Sequence, residues 1–517
     1  MQEFRAGKAL AWIALLGFVA TSLHNFFLSL SVDGALYANV AKNIVLSGEW
    51  LHLNSGIPEF QPYFAEHPHL GFWIYSLFIR LFGTHDWALR AAGQLLYPLT
   101  LYLFFLWIRR RSPAGSSAPY LFVVVLWSMA LFSRFYGQVY LDPIFFFFGV
   151  LAVFALDLAL ESPQRLAQVA WSMVAGVALA FCAMAKGMSF LGFGPVMAYL
   201  TLRAIRRTEK GPAVLAAGLC LATCAATLGL YWLAIRNSSV PDFFESYFAR
   251  QWSGRFSQQY QLNKLLRPGG WWHLLVQTNF LIVLVPLALG FRSRRHRPSP
   301  SSTRFSWSAI LEPRFAIPTI AALSFVLMYF PANRVAAQYF IPILPWAAWL
   351  VSLGLAELMG ERPRLPARLM RITSVLAVIA LMLSHYVPLK IRKIGEPHPL
   401  AISLKRHLDE MDQRGTPYTL SFLHKVEIGS QKDTFVKSAN WSWYLKRDVR
   451  LASESNFSHP STNLIVQLFG DPAFESHLRT LGFCPLQQEK GVTLWTGCEF
   501  RLIDPVHWSN TPGVFGQ

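Results

Sequence analysis

Long apolar runs recur along this chain as far as residue 389, and clusters of arginine stand at many of their ends. No other feature limits the fold so tightly. A helix that crosses a membrane needs about 20 mostly apolar residues. Runs of this kind lie near 9–30, 87–108, 118–134, 143–160, 167–185, 188–203, 211–235, 271–291, 315–331, 335–357 and 370–389, eleven in all. Inside lipid only helices and closed barrels can satisfy every backbone N–H and C=O. Composition agrees, with 53% of residues hydrophobic, 15% aromatic and 14% charged. A soluble domain carries roughly 25% charged residues, and a single soluble core stops growing at about 250–300 residues. The 517 residues are therefore not one soluble domain. The first run has no clear A-x-A cleavage site and is read as a retained anchor.

The net charge of +18 would suggest nucleic acid on a soluble protein. Here its position argues otherwise. Arg109-Arg110-Arg111, the basic residues of 203–210 and those of 292–297 sit directly at span ends, which is the positive-inside pattern. With the N-terminus in the cytoplasm and the spans alternating, inner segments hold 20 of the 46 Lys and Arg, outer loops and span ends 11, and the tail 15. Eleven spans place the tail outside, although Lys390, Arg392 and Lys393 run against that side. No nucleic-acid partner is expected. The segment 296–304 reads as a Pro/Ser/Arg-rich linker.

Residues 390–517 are a different material, richer in charge and with shorter apolar runs. The pattern predicts a helix over 401–412, strands over 418–423, 449–452 and 464–469, a helix over 472–481, and a closing strand pair around Cys484 and Cys498. The expected organisation is a membrane domain, 1–389, with a first outer loop at 31–86, and a small α+β extracytoplasmic domain, 390–517. A Cys484–Cys498 disulfide suits an oxidising compartment; two separate thiols are the alternative. Cys182, Cys220 and Cys224 lie within apolar runs and read as small core residues.

The loop 31–86 is far too long for a simple connector. Asp33 follows the first span directly, and residues 34–46 can form a helix along the membrane surface. The run Glu66-His67-Pro68-His69 comes next, and residues 74–82 can form a second apolar surface helix. Asp33 reads either as a helix cap or as a functional acid at the outer mouth. Glu66 reads either as loop polarity or as a second such acid. Asp142 opens the fourth span before Pro143, which also suits an N-cap. Lys186 lies between two apolar spans, where a lysine is expensive unless an anion accompanies it. Arg134, Arg236, Arg250, Arg255 and Arg334 fall on the same outer side. Cations and carboxylates gathered at one membrane face suit a phosphate held beside a carboxylate base.

In order along about 20–350, these residues resemble the bacterial protein-mannosyltransferase-like glycosyltransferases, a GT-C superfamily that includes the lipid A aminoarabinose transferases. The opening with Asp33 and Leu46-Ser47-Gly48-Glu49-Trp50 is similar to the family's "D…Y…A……GdW". Glu66-His67-Pro68-His69-Leu70-Gly71-Phe72-Trp73 resembles "E/x-K-P-P-L-x-x-W", and the stretch 81–90 resembles "lfG.sefalR". Asp142-Pro143, Ala183-Met184-Ala185-Lys186-Gly187, the stretch 241–256 and the stretch 334–345 follow in the family's order. The sequence departs from the pattern at Gly34, His67 and His69. It also lacks the histidine that often precedes Arg255-Phe256, so no metal site is carried over.

The resemblance implies an all-α polytopic GT-C membrane protein that transfers a sugar from a polyprenyl-phosphate donor to an extracytoplasmic acceptor: lipid A, a glycan, a lipid or a protein. It implies a bacterial inner-membrane location. Asp33 is the expected general base, with Glu66 orienting the acceptor or holding a cation and Asp142 supporting the sugar. His67, Lys186, Arg255, Arg334 and Tyr339 are the expected phosphate-side groups; His67 can serve only when protonated. The rival readings are a lipid-linked sugar transporter or flippase and a lipid-binding, non-catalytic relative.

Overall fold

The computed structural model describes residues 30–55, 63–127, 129–207, 210–236, 243–249, 312–329 and 337–360, with shorter stretches between 404 and 497. The chain is a multi-pass membrane protein. The spans expected near 9–30, 271–291 and 370–389 lie outside the described residues, as do Arg255, Arg334, Cys498 and the linker 296–304. Two compact units divide the chain. One holds residue 65 onward through the spans, and the other joins residues 29–64 to the C-terminal part. The loop expected as one piece at 31–86 is thus divided at 64/65.

In the membrane unit the expected spans become the helices Asp86–Arg111, Asp142–Glu161, Arg165–Lys186, Gly194–Arg207, Lys210–Arg236, Pro313–Tyr329 and Leu344–Gly360. The run at 118–134 is broken into Ala118–Trp127 and Ala130–Tyr136. At about 1.5 Å per residue, the 20 residues of Asp142–Glu161 span about the ~30 Å of a hydrocarbon core. Outward leucines such as Leu221 and Leu230, 64% and 70% exposed, are what a lipid-facing surface requires.

Arg165–Arg207 is continuous helical backbone of 43 residues, yet it makes two passes. Arg165 and Arg203 line the same cavity; on a straight helix they would stand roughly 57 Å apart. The reversal is at Gly187, with φ +60° and ψ −137°, a conformation in which glycine escapes the strain of a Cβ. The Tyr247 hydroxyl lies 1.6 Å from where a Cβ would be, so the site also lacks room for one. A 3-10 helix, Gly187–Phe193, follows and feeds Gly194–Arg207. Helices approach closely where side chains are small: a Cβ on Gly176 would come within 2.4 Å of the Cys220 carbonyl.

The ends of this unit differ in chemistry. At one, Asp142 meets Lys186. At the other, Arg110 and Arg111 meet Asp157 and Glu161, and Arg314 lies 3.8 Å from Glu357. Between them sits an aromatic core. Phe104 packs within 4.8 Å of Trp346 and Trp107 within 5.3 Å of Trp349, ring centre to ring centre. The indole N–H of Trp107 donates to Asp157 at 2.8 Å, which gives the buried carboxylate a partner.

In the second unit, the helix Val32–Ser47 covers the helix expected over 34–46. Ser31 caps it by accepting the Gly34 N–H at 3.1 Å, and Gly48 ends it at φ +74°. The following loop returns along it: Asn39 donates to the Ser55 carbonyl at 3.0 Å and Asn43 to that of Asn54 at 3.2 Å. Of the helix expected over 401–412, Leu404, Leu408 and Met411 are buried at helical spacing. Lys405 pairs with Asp409 one turn on, at 2.6 Å.

The strands are β1 Thr419–Leu423, β2 Arg450–Ala452, β3 Asn463–Gln467, β4 Phe483–Glu489 and β5 Val492–Gly497, with the helix Pro472–Thr480 before β4. They form one sheet in the order β2-β1-β3-β5-β4. β1 lies parallel to β2 and β3, with Phe422 opposite Val466, while β5 runs antiparallel to β3 and β4, with Ile465 opposite Trp495. Cys484 is disulfide-bonded, whereas Cys182, Cys220 and Cys224 are free and buried.

Candidate active site

Lys186 is the last residue of Arg165–Lys186, and Asp142 is the first of Asp142–Glu161. A cation suits a helix C-terminus and an anion an N-terminus, so each helix favours the charge placed at its end. The two side chains form an ion pair, with Lys186 Nζ donating to Asp142 Oδ1, and both are more than nine-tenths buried. The anion that a membrane lysine needs is therefore Asp142. Asp142 is not the cap of its helix: Leu141 holds that position and makes no side-chain capping bond.

Aromatic rings enclose the pair. Tyr339 places its ring 5.7 Å from Lys186 Nζ, within the ~6 Å of a cation–π contact. Tyr329 stacks on Tyr339 with centroids 4.7 Å apart and planes 7° from parallel. Tyr75, from the helix Leu70–Phe82, donates to the Tyr140 carbonyl at 2.6 Å and so fixes the turn that delivers Asp142. Burial, reinforced by the negative charge of Asp142, pushes the Tyr75 phenol well above its ordinary range, so it remains a donor. Tyr247 closes the far side, its hydroxyl accepting the Met188 N–H at 3.3 Å beside Gly187.

Glu66 and His67 belong to the same unit; Glu66 is half-buried and His67 buried. His69, where the family pattern has proline, is fully buried, and its Nδ1 lies 2.7 Å from the Tyr231 hydroxyl. Trp73, Tyr231 and Phe243 surround its ring at 4.7–5.7 Å. That position ties the loop before Leu70–Phe82 to Lys210–Arg236. The structure thus brings Asp142, Lys186 and Tyr339 together. Asp33 belongs to the other unit, half-buried in the first turn of Val32–Ser47. Tyr75, Tyr231 and Tyr247 carry no motif, and only a three-dimensional arrangement reveals them. Among the described residues no group of three His, Cys, Asp or Glu side chains could hold a metal ion.

The family model for dolichyl-phosphate-mannose-protein mannosyltransferases matches residues 66–232, a stretch that contains Glu66, His67, Asp142 and Lys186. An undecaprenyl phosphate-α-4-amino-4-deoxy-L-arabinose arabinosyl transferase of Pseudomonas fluorescens is 26% identical over 332 residues, 63% of this chain and 55% of that protein. The crystal structure of ArnT from Cupriavidus metallidurans bound to undecaprenyl phosphate superposes with a TM-score of 0.64 at 15% identity. It covers 94% of this chain and 97% of that one. The chain is similar to the aminoarabinose-transferase-like GT-C glycosyltransferases in sequence and shares their fold. The GT-C fold extends further: the archaeal oligosaccharyltransferase AglB from Archaeoglobus fulgidus gives a TM-score of 0.52 at 12% identity, covering 90% of this chain and 69% of AglB. The chain spans about half the length of the family's relatives that it matches.

Proposed function

We propose that this chain is an inner-membrane glycosyltransferase that moves a sugar from a polyprenyl-phosphate donor to an acceptor on the outer face of the membrane. The observation that carries the reading is the buried Lys186–Asp142 pair beneath Tyr339 at the end of the spans. The pair supplies a cation of the kind that a lipid phosphate needs. Relatives named for a 4-amino-4-deoxy-L-arabinose donor on undecaprenyl phosphate support the donor class.

In the proposed reaction Asp33 takes the proton of the acceptor hydroxyl. The acceptor oxygen bonds to the anomeric carbon, and the carbon–oxygen bond to the phosphate breaks with inversion. The bond's electron pair leaves with the polyprenyl phosphate, whose oxygens gain negative charge. Lys186, with Arg255 and Arg334 from the stretches that resemble the family's motifs, stabilises that charge. His67 adds a donor when protonated, Tyr339 orients Lys186, Glu66 orients the acceptor, and Asp142 holds Lys186 in place. The purified full chain should release polyprenyl phosphate from undecaprenyl-phosphate-aminoarabinose only when lipid A is added. Release without any acceptor product, or none with any polyprenyl-phosphate sugar, would refute the reading.

The orientation is part of the same proposal. Glu49 and Ser476 are exposed in one unit, and Ala114 is exposed at the arginine-rich end of the other. Glu49→Cys and Ser476→Cys should react with a membrane-impermeant maleimide from the outer side. Ala114→Cys should react only after the membrane is opened. The reverse pattern would invert the topology.

A further inference from the structure

A cavity of about 1130 Å³ opens at the arginine-rich end of the membrane unit, far along the helices from Lys186. Two acids border it, Asp157 and Glu161, and both are already engaged. Arg111 forks across them, reaching Asp157 with Nη2 and Nε and Glu161 with Nη1 at 2.5 Å. Arg110 adds a bond to Glu161 at 3.0 Å. Three more arginines line the same hollow: Arg165, Arg203 and Arg207. None of these three forms an ion pair among the described residues. The positive-inside rule accounts for arginines at this end of the spans, but not for their convergence on one cavity. Arg203 is half-buried in its wall.

The hollow is a built one. Gln168 donates to the Pro212 carbonyl at 3.1 Å, which ties the start of Arg165–Lys186 to the start of Lys210–Arg236. Gln164 makes no side-chain cap on the first of these helices, so its leading N–H groups add to the positive field. Leu200 and Leu215 form an apolar part of the lining. Leu166, Leu202 and Val214 stand exposed beside it, at 83%, 56% and 57%. Unpaired guanidinium groups select phosphate by their fork geometry. Exposed leucines next to them, at the level where the spans end, select an anion that carries acyl chains.

We propose that this cavity binds the headgroup of an anionic glycerophospholipid of the phosphatidylglycerol class, from the leaflet at the arginine-rich end. Its phosphodiester lies on Arg165, Arg203 and Arg207, its glycerol hydroxyls reach Glu161, and its acyl chains lie along Leu202 and Val214. Basic pockets between membrane helices bind lipids in this way. The bound lipid would clamp the inner ends of the helices whose other ends carry Asp142 and Lys186.

Native mass spectrometry of the full chain in neutral detergent tests this with phosphatidylglycerol and phosphatidylcholine at equal concentration. At least about fivefold higher occupancy by phosphatidylglycerol is expected, since each basic group near a headgroup favours the anionic lipid. The preference should vanish in the combined Arg165→Gln, Arg203→Gln, Arg207→Gln variant and persist in Arg109→Gln, which alters an exposed arginine outside the cavity. Should the triple variant fail to fold, Arg165→Gln alone should reduce the preference measurably, since Arg165 is exposed at a helix start. Equal occupancy of the wild type by the two lipids would overturn the proposal, as would a preference that survives all three substitutions. Millimolar inorganic phosphate should leave the lipid bound; if it strips the lipid, the cavity takes a free anion. Displacement by undecaprenyl phosphate at a far lower concentration would make it a donor site, and would equally overturn the proposal.

Discussion

Changing Asp33 to Asn is expected to lower turnover at least about a hundredfold, with normal membrane insertion and near-normal donor binding. General-base catalysis is typically worth about 10²–10⁴ in rate, and an amide keeps the shape of the carboxylate but cannot take a proton. The structure removes the simplest competing explanation. The cap of Val32–Ser47 is Ser31, whose hydroxyl accepts the Gly34 N–H. Asp33 therefore is not the cap acceptor, and its loss does not uncap the helix. As an acid in the first turn it also favours the helix dipole, by about 0.3–1 kcal/mol. Asn39 and Asn43 hold the helix to its return loop independently. A large fall in turnover in protein that stays folded and monodisperse would then be chemical. The measurement is turnover of purified protein with a lipid-linked sugar, alongside monodispersity in detergent. Activity close to wild type would move the base elsewhere, first to Glu66 and then to Asp142.

Much of the membrane unit was legible because lipid enforces a simple rule. A run such as 143–160 has few alternatives to a helix, and it became Asp142–Glu161. The break between 167–185 and 188–203 was legible in Lys186-Gly187, where a charge and a glycine interrupt apolar sequence. The positive φ at Gly187 explains why the chain turns there. The C-terminal strands also followed the pattern closely, since 418–423 and 464–469 are short apolar runs between polar turns. Parallel pairing of β1 with both β2 and β3 was not legible, because nothing local encodes which strands become neighbours. Nor was the division at 64/65, which no change in composition marks. The span at 118–134 breaks near Met129, where no glycine or proline marks the place. At the candidate site, the sequence said only that Lys186 needed an anion. Asp142 lies 44 residues earlier, and only the reversed course of the intervening helices makes the pair. The same holds for the arginines of 203–210: the sequence placed them at a membrane edge, and folding turned two of them onto one cavity.

The second large effect comes from that pair. Either Lys186→Met or Asp142→Asn alone should lower folded yield, because each leaves a buried charge facing a neutral group in place of the opposite charge. Removing one member of a buried pair costs on the order of 3–5 kcal/mol, and both side chains are more than nine-tenths buried. The double variant removes both charges and should regain most of the yield, since replacing a whole buried pair by neutral groups is often close to neutral for stability. Turnover then separates the two roles of Lys186. If its ammonium stabilises the leaving phosphate, the folded double variant stays slow by about 10²–10³, the typical effect of deleting one preorganised donor to a developing charge. If the pair only supports packing, the double variant recovers turnover together with yield. Size-exclusion yield and single-turnover rate, measured on the same four proteins, decide between them. Recovery of both quantities would leave Lys186 as a structural cation and shift the phosphate site onto His67, Arg255 and Arg334.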